Sequence, residues 1–100
     1  MEKKIAMRVH ANESGSVLAA ADAQLIGQTL REGKISLNVS KTFYLEKTVD
    51  ENEFAEQLDE AGNVNLVGEI TFNVAVKKGL LTNSEGMRIA GVPHAQIYKI

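Results

Sequence analysis

Short alternations of apolar and polar residues run along much of this 100-residue chain. Ile5, Met7 and Val9 alternate with Ala6, Arg8 and His10, the period of a half-buried strand. Asn12-Glu13-Ser14-Gly15 is a turn by composition. Ser16 to Ala21 then pairs back as a second hairpin strand, although Ala19-Ala20-Ala21 also suits a helix. Asp22 to Gly27 reads as one short helical turn, capped by Asp22 and ended by Gly27. Thr29 to Lys34 reads as a polar connector that turns at Gly33. Ile35, Leu37 and Val39 alternate with Ser36, Asn38 and Ser40 as a third strand. Lys41 to Lys47, with Phe43 and Tyr44, reads as an irregular flap over the sheet. After a loop from Leu80 to Gly86, Met87 to Ile89 and Gln96 to Ile100 supply two more short strands.

The clearest helix begins at Asp50-Glu51-Asn52-Glu53, a capping-box-like start. Phe54, Ala55, Leu58 and Ala61 line one side of it, and Gly62 stops it. The densest apolar stretch, Asn65 to Gly79, fits two patterns. Ile70, Phe72, Val74 and Val76 alternate with polar neighbours as in a strand. On a helical wheel, Leu66, Ile70 and Val74 make one buried face beside a Glu69-Asn73-Lys77 stripe. The ends favour the helix. Asn63 or Asn65 caps it, Lys77 and Lys78 suit its negative end, and Gly79 suits the residue after it.

Composition narrows the picture. The length makes residues 1–100 a single domain. Without cysteine there is no disulfide framework, thiolate metal site or cysteine nucleophile, which suits a reducing cytoplasm. The N-terminus lacks the apolar run of a signal peptide, and nothing approaches the ~20 apolar residues of a membrane span. Net charge is −2, but Glu46 to Glu60 holds seven acids against one base, a net of −6. The rest of the chain therefore carries +4, which leaves room for a basic surface elsewhere.

Candidate chemistry is sparse. His94 follows the single proline, Pro93, which fixes its own φ and holds Val92 extended. A histidine so held is either a contact residue or a tie into the last strand. Two histidines far apart, with no metal-ligand spacing, give no metal site, and no cofactor motif is present. There is no phosphate-cradling glycine motif. If the chain binds phosphate, the contacts are Arg31, Lys34, Lys77, Lys78 and Arg88, with Lys99 near them. A hairpin at Gly91 and Pro93 is expected to bring His94 and Gln96 beside the start of the central helix, clustered with Asn65 and Glu69. The helix's first amides would add a weak anion site there.

Leu25-Ile26-Gly27-Gln28-Thr29-Leu30-Arg31-Glu32-Gly33, Asn65-Leu66-Val67-Gly68-Glu69 and above all Ile89-Ala90-Gly91-Val92-Pro93-His94-Ala95-Gln96 resemble the archaeal domain of unknown function 424. The resemblance spans nearly the whole chain in the same order. It implies an archaeal, intracellular protein with a loose link to translation, and brings no activity with it.

The expected architecture is α+β: a small mixed or antiparallel sheet of four to five strands covered by two helices. The expected function is a non-catalytic binding or accessory module for RNA or a translation-related protein, in the cytoplasm and away from membranes. Two alternatives stand beside it. One is a structural module that forms a homodimer through an edge strand such as Gln96 to Ile100. The other is a small enzyme using His94 and a carboxylate.

Overall fold

The computed structural model describes residues 2–12, 15–82 and 86–98. Parts of the expected first turn, of the loop before Met87 and of the last strand (Lys99 and Ile100) lie outside them. The chain runs β1 (Ile5–Asn12), β2 (Gly15–Asp22), a 3-10 turn (Ala23–Leu25), β3 (Thr29–Glu32), β4 (Ile35–Asn38), α1 (Lys41–Tyr44), β5 (Lys47–Val49), α2 (Glu51–Glu60), β6 (Asn63–Val67), α3 (Glu69–Lys77), β7 (Met87–Ile89) and β8 (Val92–Tyr98). Six strands form one sheet in the order β5-β1-β2-β6-β8-β7, and β3-β4 is a separate hairpin. Among the described residues only the β2–β6 pair is parallel. The α+β class is as expected, with more strands than four or five.

Side chains alternate across a strand, so the pairing register sorts the sheet into two sides. On the helix side Ile5, Met7, Leu18, Ala20, Val64, Leu66, Ala95 and Ile97 pack with Phe54 and Leu58 of α2 and Phe72, Val74 and Ala75 of α3. On the hairpin side Ala19, Ala21, Val67 and Ile89 pack with Leu25, Leu30, Val39 and Tyr44. The three alanines of β2 are fully buried, because this central strand is closely covered on both sides. That resolves their helix-or-strand ambiguity in favour of strand.

α2 forms as its sequence predicts. Asp50 caps it by accepting from the Glu53 amide at 2.8 Å, and Phe54 and Leu58 are buried. Asp59 sits unfavourably near the helix's negative end, and Lys78 offsets this by reaching its carboxylate at 2.7 Å.

The central stretch is a strand and a helix in succession. Asn63 to Val67 pairs on both sides, with β2 and β8, and the helix begins only at Glu69. Leu66 is therefore a strand residue, while Val74 is buried on the helix and Ile70 is half-buried. Neither Asn63 nor Asn65 caps the helix. Asp22 does so from β2, 48 residues before Ile70. Its buried carboxylate accepts from the amides of Ile70 at 3.1 Å and Thr71 at 2.8 Å, and from the Thr71 hydroxyl at 2.8 Å. Gly68 makes room for it. Its φ is +114°, and a Cβ there would stand 2.3 Å from the Asp22 carboxyl carbon. Asp22 makes no side-chain cap to the 3-10 turn that follows it in sequence.

Other departures are shorter. Thr29 to Glu32 is a strand because Ile35 to Asn38 folds back onto it. Lys41 to Tyr44 is a helical turn capped by Ser40, whose hydroxyl accepts from the Phe43 amide at 3.0 Å. Lys47 to Val49 is an edge strand on β1. The last strand begins at Val92, because Ala90 and Gly91, with φ of 53° and 81°, close a two-residue hairpin from β7.

Candidate functional site

Two rows of residues cross the hairpin side of the sheet. His10, Val17, Asn63 and Tyr98 form one; Arg8, Ala19, Asn65 and Gln96 form the next. At the β1 end these rows are roofed by α1. Arg8 Nη1 donates to the Thr42 carbonyl at 3.1 Å, and His10 Nε2 donates to the Phe43 carbonyl at 2.8 Å. The His10 and Phe43 rings stack with centroids 4.6 Å apart, and Tyr44 meets Phe43 edge-on. Over β6 and β8 the roof stops. Tyr98 is 69 % exposed, Gln96 is exposed, and Asn63 and Asn65 are half-buried.

The open end is polar and uncharged. The Tyr98 hydroxyl donates to Gln96 Oε1 at 2.6 Å, which fixes that amide. The amides of Asn63 and Asn65 make no hydrogen bond among the described residues. His94 lies one row further on, between Val67 and Met87, and burial lowers its pKa from the ordinary histidine value. Its ring makes no hydrogen bond among the described residues.

The expected cluster of His94, Gln96, Asn65 and Glu69 thus divides. Asn65, Gln96 and His94 share the hairpin side. Glu69 opens α3 on the other side, where its carboxylate meets Arg88 at 2.7 Å. Arg88 also donates to the Gly91 carbonyl at 2.9 Å. The expected anion site at the helix start is closed as well, since Asp22 occupies the amides of Ile70 and Thr71.

The five cations do not gather either. Arg31 and Lys34 lie on the β3-β4 hairpin, and Lys77 and Lys78 lie at the far end of α3, in the opposite layer. Lys78 is bonded to Asp59 and Arg88 to Glu69. Among the described residues, no group of three or more histidine or acidic side chains is placed to hold a metal ion. No described helix is long and apolar enough to cross a membrane.

Sequence reasoning missed Asn63 and Tyr98 as members of this face. Asn63-Val64-Asn65-Leu66 carries the strand alternation that would have revealed it, as does Gln96-Ile97-Tyr98.

A crystal structure of an uncharacterized conserved protein from Methanopyrus kandleri superposes with a TM-score of 0.84 at 29 % sequence identity, over 94 % of this chain and 90 % of that one. No curated protein matches the chain. The profile of the proteins of unknown function termed DUF424 matches residues 9–100, nearly the whole length, and the chain belongs to that family.

Proposed function

We propose that the chain is a non-catalytic binding module of the cytoplasm, and that the open end of the hairpin-side sheet face holds its ligand. The observation that carries this is the block of Asn63, Asn65, Gln96 and Tyr98 on adjoining strands. It presents side-chain amides and an exposed ring on a rigid support, with no carboxylate among them. Unpaired RNA bases suit such a surface, because amides read base edges and aromatic rings stack on them. The scattered cations favour contacts to bases over a track of phosphates, so binding should weaken only mildly with salt. The lack of cysteine agrees with a reducing compartment.

Fluorescence anisotropy with short labelled single-stranded RNAs, and with double-stranded controls, tests the reading. Fragments of transfer and ribosomal RNA in the same assay test the link to translation. Tyr98→Ala should weaken binding by about 1–3 kcal/mol, the usual worth of one stacked base. Gln96→Ala and Asn65→Ala should alter base preference. If no single-stranded RNA binds, or Tyr98→Ala leaves affinity unchanged, this reading fails.

A further inference from the structure

We infer that the open face selects adenine: Asn63 and Asn65, with Gln96 beside them, read two successive adenines of an unpaired RNA strand, the first of them stacked on Tyr98. This selection rests on RNA binding as proposed above and adds which base is bound.

The polar side chains stand in pairs. Asn63 faces Tyr98 across the β6–β8 ladder, and Asn65 faces Gln96. Asn63 and Asn65 share one side of β6 and stand about 6–7 Å apart along it. That spacing seats neighbouring bases of an extended strand, which single-strand recognition splays apart. The face is accessible, since Tyr98 is 69 % exposed, Gln96 is exposed, and Asn63 and Asn65 are half-buried. Gln96 Oε1 accepts from the Tyr98 hydroxyl at 2.6 Å, which leaves the Nε2 hydrogens to donate.

The chemistry of these four residues narrows the base. A side-chain amide sets a donor beside an acceptor, so it bonds twice to a base edge that offers an acceptor beside a donor. Adenine offers that pair on both exposed edges, its N6 amino group lying beside N1 on one and beside N7 on the other. The other bases offer it on the Watson–Crick edge alone. The second edge of guanine carries two acceptors, which suit arginine or lysine, and the cytosine amino group suits a carboxylate. Neither a cation nor a carboxylate stands among the four residues. Arg8, in the Asn65 row, donates to the Thr42 carbonyl at the roofed end. The exposed tyrosine ring adds to the same preference, because a purine covers more of it than a pyrimidine does.

The test is fluorescence anisotropy with a short all-uridine RNA and with the same strand carrying one or two adjacent central adenosines, guanosines or cytidines. Two adenosines should tighten binding about tenfold or more over uridine, and by more than two guanosines or two cytidines do. One adenosine should give part of that gain. Purine riboside in their place, which lacks the amino group, should remove it. Asn65→Asp and Asn63→Asp keep the shape of the side chain but leave only acceptors, so each should erase most of the adenine preference. Equal binding of all the strands, or an adenine preference untouched by both substitutions, would overturn the inference and leave RNA binding standing. Failure of every strand to bind would remove both readings. Competition with AMP separates the sources of adenine. AMP fills one of the two places and should displace the two-adenosine strand only weakly. Displacement by AMP as effective as by the unlabelled strand would make a free nucleotide the ligand and overturn the inference.

Discussion

The helix side and the hairpin side of the sheet are built on the same strands and are finished differently. On the helix side, Leu18, Val64 and Leu66 are buried by 99 % or more beneath two helices. The buried ionisable residue there, Asp22, has its carboxylate engaged by two amides and a hydroxyl. On the hairpin side, alanines stand where α1 and β3-β4 press close, and amides and a tyrosine stand where they do not. Stability is concentrated on the first side, where removing a group leaves a cavity or an orphaned donor. The second side has its own buried cluster, and at its open end it carries Asn63, Asn65, Gln96 and Tyr98, which are half-buried or exposed.

The largest effect should come from hollowing the sealed side. Leu66→Ala should cost about 2–5 kcal/mol in urea melts. Asn65→Ala, the adjacent residue facing the other way, should stay within about 0.5 kcal/mol. Equal losses at the two positions would erase the distinction between the sides.

The Asp22 cap comes next. Asp22→Ala should cost about 2–4 kcal/mol, since it strips a cap and leaves buried donors unmet. Gly68→Ala should cost a similar amount, from backbone strain and the clash with the carboxylate. The double variant should lose clearly less than the two single losses added together, because removing Asp22 opens the space a Cβ needs. Strict additivity would show that the two residues are not coupled.

A gain is expected at Ala90. Its φ of 53° in a two-residue hairpin favours asparagine or glycine, so Ala90→Asn should stabilise by about 0.5–1 kcal/mol. An unchanged midpoint would mean the turn carries no strain.

The smallest effect is a pH dependence from the half-buried His94. Its folded pKa is lowered by burial, so the unfolded chain binds the proton more readily. The His94 contribution is therefore complete above its unfolded value of about 6.5 and declines as pH falls through the lowered folded value. His94→Gln should flatten that part of the stability curve. A variant curve parallel to the wild type through this window would remove His94 as the cause.

The legible parts of the fold are those decided by near neighbours. Asp50 and Glu53 lie one helical turn apart, so their capping is written in the local residue order. The alternation at Ile5, Met7 and Val9, and at Ile35 and Leu37, likewise marks strands correctly. Thr29 to Glu32 is not legible in this way, because its strand character comes from the partner strand it meets.

The sequence alone determined the α+β class, the acidic α2 with its cap, the hairpin strands and the alternation that puts Gln96 and Tyr98 on one side of β8. These depend on spacings of two to four residues, which a linear pattern carries. Tertiary structure alone decided where the central stretch changes from strand to helix. An extended Asn63 to Val67 needs β2 and β8 on its flanks, and a helix starting at Glu69 needs a carboxylate from β2, far earlier in the chain. It also separated Glu69 from His94 and divided the cations between two layers, because the side of a sheet a residue takes depends on register between distant strands.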